Sequence, residues 1–351
     1  MRKQILTAAV MAACAGMSFA ALADESTTVG GKAYIDFTNI DSKTNGTKND
    51  ASGLGFDLTR FYLSIGHTFD DMWSANLTTD VTSDGIANEV YVKKAYLQAK
   101  LSDAAVVRIG SADMPWIPYV EDAYGFRYVE KTLIDRLGFG TSADWGLHLK
   151  GKFANGLVNY GFAVINGSGY KHPSVHTNAM DFEGRVNLNW NNFVLGVGGY
   201  VGKLGKDTEG ATTFHTAKRL DAIAAYVDKQ FRVGVEYFHA TAFKDVTSVT
   251  SNKADGVSVF ASYQFDPKWN VFGRYDYVKP TKSTNNSLSD NYFNVGVTYT
   301  PVKIVDLSFV YKRDKIGDGS WGTANGTIGG LTATTGSGTY DEFGLFSRLR
   351  W

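Results

Sequence analysis

Charged side chains recur along this 351-residue chain on one face of short alternating runs. They include Lys32, Asp36, Arg60, Asp80, Lys94, Arg108, Lys150, Lys152, Glu183, Arg185, Arg219, Asp221, Arg232 and Glu236, then Arg274, Asp276, Asp306, Lys312, Glu342, Arg348 and Arg350. Such charges are costly in a dry core and on a lipid-facing surface near the membrane midplane. Water along that face removes the cost. Bases outnumber acids in this set, so the face it lines would raise the local concentration of anions. Most of these groups would only brace a wall as ion pairs, Glu183 with Arg185 for example, and a few would define a narrow point.

A second charged set lies in the segment 114–143, which carries Glu121, Asp122, Arg127, Glu130, Lys131, Asp135 and Arg136 among Trp116, Ile117, Tyr119, Val120, Tyr124 and Phe126. It is too apolar for a purely solvated loop. The expectation is an amphipathic segment that folds inward, packs on the wall and narrows the passage; the alternative is an external lid or a contact between copies. In the inward reading Arg127, Lys131 and Arg136, with Arg60, Arg108, Lys150 and Arg185 on the wall, set a weak anion preference. Glu121, Asp122 and Glu130 temper it.

Other chemistry finds little support. There is no Gly-x-Ser-x-Gly elbow and no obvious serine–histidine–acid grouping, so catalytic residues are not expected. His172 and His176 are four apart but lie in a loop beside Pro173, where helical zinc spacing does not apply. Gly196-Val-Gly198-Gly199 sits inside a strand with no helix after it, so packing explains it better than a nucleotide loop. Neither metal nor cofactor is expected.

The elements that position these residues follow from a period of two. In the last run Phe343, Leu345, Leu349 and Trp351 share one face, and Glu342, Gly344, Arg348 and Arg350 the other. About 16 candidate strands are predicted near 29–39, 54–67, 72–80, 89–100, 104–113, 144–153, 157–166, 181–190, 192–202, 216–228, 231–240, 255–265, 269–278, 290–300, 303–314 and 339–351. Connections alternate between tight turns and long polar loops, the pattern of a closed antiparallel transmembrane β-barrel with short periplasmic turns and long external loops. The tight-turn side collects Phe69, Trp73, Phe153, Trp190, Phe193, Phe231, Phe265, Trp269, Tyr299 and Trp351, as an aromatic girdle at headgroup depth would. Phenylalanine (22), tyrosine (19) and glycine (38) are abundant and proline (6) scarce, as in hairpin-rich sheets.

Residues 1–23 read as an export signal: Arg2 and Lys3, an apolar stretch from Ile5 to Ala13, and Ala21-Leu22-Ala23 before Asp24. Cleavage would leave a mature chain of 24–351 without Cys14, the single cysteine. Losing Arg2 and Lys3 leaves 33 basic residues against 35 acidic ones, a net charge of −2 that argues against bulk nucleic-acid binding.

Three stretches carry a family resemblance. They are Arg60-Phe-Tyr-Leu-Ser-Ile-Gly followed by Trp73-Ser-Ala-Asn-Leu-Thr-Thr-Asp; Val92-Lys-Lys-Ala-Tyr-Leu-Gln-Ala-Lys leading to Val107-Arg-Ile-Gly-Ser-Ala-Asp-Met-Pro; and Tyr128-Val-Glu-Lys-Thr-Leu through Trp145-Gly-Leu-His-Leu-Lys-Gly-Lys-Phe. Over roughly 55–165 the chain resembles the phosphate-selective porin O and P family of bacterial outer-membrane porins. The resemblance implies a 16-stranded homotrimeric porin of the outer membrane, with lipid around it, small hydrophilic solutes or anions inside, and a third loop constricting the lumen. The tail ending in Trp351 resembles the terminal signature of outer-membrane proteins and implies recognition by the barrel-assembly machinery. One departure matters: 203–215 holds only Lys203 and Lys206 against Asp207 and Glu209, so phosphate specificity is not supported. The rival readings are a closed structural or adhesion barrel, an outer-membrane enzyme and a soluble secreted β-protein. The last would explain the alternation but neither the segregated loops nor Trp351.

Overall fold

The computed structural model describes residues 25–83, 88–172 and 176–351, so the expected signal at 1–23 lies outside the described residues. Sixteen strands form the wall: β1 (Ser26–Thr44), β2 (Gly53–Thr68), β3 (Trp73–Ser83), β4 (Asn88–Ser102), β5 (Ala105–Asp113), β6 (Ala143–Phe153), β7 (Val158–Ile165), β8 (Asp181–Trp190), β9 (Phe193–Gly202), β10 (Ala217–Val227), β11 (Phe231–Thr241), β12 (Lys253–Asp266), β13 (Trp269–Lys279), β14 (Ser289–Val302), β15 (Val305–Gly317) and β16 (Gly338–Arg350). Each pairs antiparallel with the next, and β1 pairs with both β2 and β16, so the sheet closes on itself and has no edge.

Closure has a local device. Trp351 accepts from the Gly31 amide at 3.1 Å and donates to the Gly31 carbonyl at 3.3 Å. Its indole lies against Gly31, where a Cβ would come within 2.3 Å of the ring and 2.4 Å of the Tyr62 carbonyl oxygen. Only glycine leaves room for the terminal ring to seal the seam. The other tight-turn aromatics pair at the same rim: Phe231 with Tyr263 and Trp269 with Tyr299, each at 4.7 Å, and Phe61 with Trp351 at 5.5 Å.

Alternation sets the two faces. Leu147, Phe162, Val233, Val235, Val259, Val297 and Leu345 are exposed on the outside, while their neighbours His148, Ser258 and Thr298 are buried inside. An apolar outer band around a polar interior is what a membrane-spanning barrel requires. Some strands run longer at their external ends than expected, among them β3 and β15 and most of all β1, whereas β5, β7, β8, β9 and β10 do not. An unforeseen hairpin, Ser320–Thr323 with Gly326–Gly329, folds over the barrel mouth.

One irregularity decides what the lumen sees. Thr78 pairs with Lys94, but Thr79 pairs with Val92, so Lys93 is an extra residue in β4. Such a bulge breaks the strict alternation. Lys93 and Lys94 then both point inward, Lys93 to the Tyr62 hydroxyl at 3.3 Å and Lys94 to Asp113 at 3.2 Å.

Candidate functional site: the inward loop and the wall it faces

The chain between β5 and β6 folds into the barrel. Its first part forms helix α1 (Ile117–Tyr124), with a proline in the first turn and Gly125 in the left-handed conformation closing it, the Gly125 amide donating to the Glu121 carbonyl at 2.8 Å. Ile117, Val120, Ala123 and Tyr124 form the buried face, and Glu121 and Asp122 point away from it. A single turn, α2 (Leu133–Arg136), follows.

The apolar residues that made this segment unfit for solvent are its anchors. The Trp116 ring lies on Gly198, where a Cβ would come within 2.5 Å, and Tyr119 lies on Gly196 in the same way at 3.0 Å. The glycine run in β9 is a seat for the loop. The Trp116 indole donates to Glu236 at 3.0 Å and its amide to Glu183, also at 3.0 Å. Phe126 stacks on Phe272 at 4.0 Å, and the Tyr128 hydroxyl meets Ser308 at 2.6 Å.

Arg136 is placed far from the open passage. Its side chain is fully buried and meets three carboxylates of the wall: Asp276 at 3.1 Å, Asp290 at 2.6 Å and Asp314 at 2.8 Å. The guanidinium also covers the Tyr292 ring at 4.5 Å. Glu130 is likewise buried, facing Lys312 at 3.4 Å and accepting from Asn325 of the mouth hairpin at 3.0 Å. Burial opposes its ionisation, but Lys312 and Arg136 outweigh burial and hold its carboxyl down at about 2. These two residues tie the loop to the wall.

Glu121, Asp122, Arg127 and Lys131 lie along the free edge. Arg127 pairs with Glu121 at 2.6 Å and Asp135 at 3.5 Å, and Lys131 reaches Asp135 at 3.8 Å. Across the gap stands the wall of β1 to β6, bearing Lys32, Arg60, Lys93, Lys94, Arg108 and Lys150. Of the inward acids on this wall, Asp80 stands 3.0 Å from Arg60 and Asp113 stands 3.2 Å from Lys94 and 4.0 Å from Arg108, while Asp36 and Asp144 are buried. Arg108, Lys150 and Arg185 come together with Asp113 and Asp122 around a cavity of about 240 Å³ beside α1. Arg60 sits apart from them, its guanidinium also donating to the Tyr91 hydroxyl at 3.3 Å.

The expected pair of Glu183 with Arg185 does not form. Arg185 donates to the Pro115 carbonyl at 2.7 Å and stacks on Tyr119 at 4.0 Å, while Glu183 pairs with Arg219 at 2.8 Å. The loop has taken Arg185 for itself. Lys93, Asp290 and Asp314 were absent from the sequence-derived set. Asp290 and Asp314 share inward parity with Asn294 and Lys312, which was the available signal; the bulge behind Lys93 leaves no trace in composition.

A closed sixteen-stranded barrel with an apolar outside, a charged inside and a loop across its lumen is an outer-membrane channel. The chain belongs to the Gram-negative porin family, whose profile matches residues 7–319. The porin expected from the sequence resemblance is thereby shown, and with it a channel for passive diffusion. No curated protein matches the chain by sequence. Among solved structures, an anion-selective porin from Comamonas acidovorans superposes with a TM-score of 0.71 at 14% identity, over 93% of this chain and 100% of the other. The outer-membrane channel DcaP of Acinetobacter baumannii gives 0.65 at 12%, over 95% and 99%. OmpF of Salmonella typhi, in complex with daunomycin, gives 0.61 at 16%, over 92% and 97%. These identities bear on the fold alone.

Proposed function

We propose that this porin passes small hydrophilic solutes and ions without catalysis, and that it prefers anions weakly through the wall of β1 to β6. One observation carries the reading. Six bases on that wall (Lys32, Arg60, Lys93, Lys94, Arg108 and Lys150) stand against four inward acids, of which Asp80 and Asp113 lie among the bases while Asp36 and Asp144 are buried elsewhere on the arc. The loop edge itself is nearly balanced, with Arg127 and Lys131 against Glu121, Asp122 and Asp135. A base-rich face in a narrow, partly desolvated passage draws anions, and neighbouring acids reduce the field. The Comamonas acidovorans porin that shares this fold is anion-selective, which accords with this reading. Segment 114–143 is the constriction in this account.

The remaining assignments are of the same standing. Residues 1–23 act as a cleaved export signal, 24–351 form the mature porin, and Trp351 presents the tail to the barrel-assembly machinery. The porin acts as a homotrimer; a trimer form of the OmpT outer-membrane protein of Vibrio cholerae shares the fold. Reversal potential across a KCl gradient in a planar bilayer tests the preference. Chloride over potassium is expected, and a cation-directed potential would overturn it.

A further inference from the structure

Above the loop, at the external mouth, lies a cavity of about 460 Å³ that the passage described so far does not use. Three lysines line it from three different loops: Lys171, Lys206 and Lys244. None has a carboxylate partner among the described residues. Lys244 lies over the Trp321 ring at 4.4 Å and the Phe139 ring at 5.5 Å, and Lys171 over Tyr91 at 4.8 Å. Ring faces hold an ammonium in place while leaving its donors free for a ligand.

The one carboxylate on the lining, Glu183, is spent: one oxygen accepts from the Trp116 amide and the other from Arg219. The rest of the lining includes Met114, Tyr170, Leu204, Phe243 and Val246. A hydrated inorganic anion would leave those apolar surfaces uncovered, whereas a carboxylate on an apolar body matches both halves. The volume falls within the range of small-molecule pockets. Tyr170 lies between this cavity and the basic wall, since Lys93 sits 5.5 Å from its ring.

We propose that the mouth cavity is a docking site for small aromatic carboxylates, held by Lys171, Lys206 and Lys244 before they pass to the wall of β1 to β6. The proposal rests on the anion-preferring channel above and names the class of solute that gains most from it. Each lysine supplies a point charge with three donors, and the aromatic and aliphatic lining supplies the face for a ring.

Channel block tests it on the intact porin in bilayers at low salt, with benzoate or acetate added to the external side. Benzoate is expected to half-block the KCl current at a concentration at least about fivefold below acetate. Replacing Lys206 and Lys244 together by glutamine should raise the benzoate value about fivefold, with acetate block little changed. A second variant, Thr247→Glu, places a carboxylate on the exposed lining and should act in the same direction. Both lie in external loops, and an unchanged shift between unheated and boiled detergent samples verifies the barrel. Equal block by benzoate and acetate, or benzoate block that neither variant alters, would overturn the docking site. The two readings fail separately. A cation-directed reversal potential removes the anion preference, while selective, lysine-dependent benzoate block would still uphold the site.

Discussion

Strands β8 to β16 and strands β1 to β6 carry their charges to opposite ends. On the first arc, charges are spent on one another and on the loop. Asp276, Asp290 and Asp314 close on Arg136, Glu183 and Asp221 on Arg219, and Glu342 on Lys312. Arg274 gives one bond to the Lys131 carbonyl at 2.6 Å, and Arg232 another to the Asp122 carbonyl, also at 2.6 Å. On the second arc, Arg60 pairs with Asp80 and Lys94 with Asp113, yet bases remain in excess and face the loop's free edge. One arc fixes where the loop stands, and the other sets the field in the gap that remains. A charged residue inside this barrel therefore has no fixed meaning until its arc is known.

Breaking the gripping arc should have the largest effect. Arg136→Ala leaves Asp290 and Asp314 without their cation, while Arg274 still holds Asp276 at 2.6 Å, and removing one partner of a buried pair typically costs about 3–5 kcal/mol. The expected outcome is a loosened loop, read as larger and noisier single-channel conductance, while the boiled-sample mobility shift persists. Trp116→Ala should follow, emptying the seat on Gly198 and leaving Glu236 without its donor, a loss of about 3–5 kcal/mol by comparison with large core truncations. Its check is faster proteolysis within 114–142.

Acid should weaken the same grip. Glu130 has a folded-state pKa of about 2, below its ordinary value, so its stabilising contribution is present above about pH 4.5. It is lost as pH falls from there through about 2. Conductance noise should rise across that window, and Glu130→Gln should show part of the noise already at neutral pH. Arg127→Gln should do least. Its charge is shared between Glu121 and Asp135, so selectivity should move little, and only bilayer recordings on matched samples would resolve the change.

Much of the barrel could be read in advance because the membrane imposes it. Period-two alternation, tight turns against long loops, and rim aromatics each follow from a wall that faces lipid outside and water inside. The inward loop was legible for a related reason: Trp116, Tyr124 and Phe126 need cover that solvent does not give. What the loop touches was not legible. Arg136 meets Asp290 and Asp314 across 154 and 178 residues of chain, and pairing over such separations is set by the barrel's closure, not by local spacing. Strict parity sends Lys93 toward lipid, and only the bulge turns it inward. The mouth hairpin, rich in glycine and threonine, read as an ordinary loop. Trp321 stacks on Phe139 at 5.9 Å, which places that hairpin over the lumen.

The comparison of arcs is tested most directly by the reversal potential of two variants in the same KCl gradient. One replaces Arg60, Lys94, Arg108 and Lys150 with glutamine; the other replaces Arg127 and Lys131. The wall variant is expected to lower the chloride-to-potassium permeability ratio roughly twofold or more, because it removes the unbalanced positive charge beside the gap. The loop variant should shift it less. A wall variant with unchanged reversal potential, or a loop variant with the larger shift, would contradict the account.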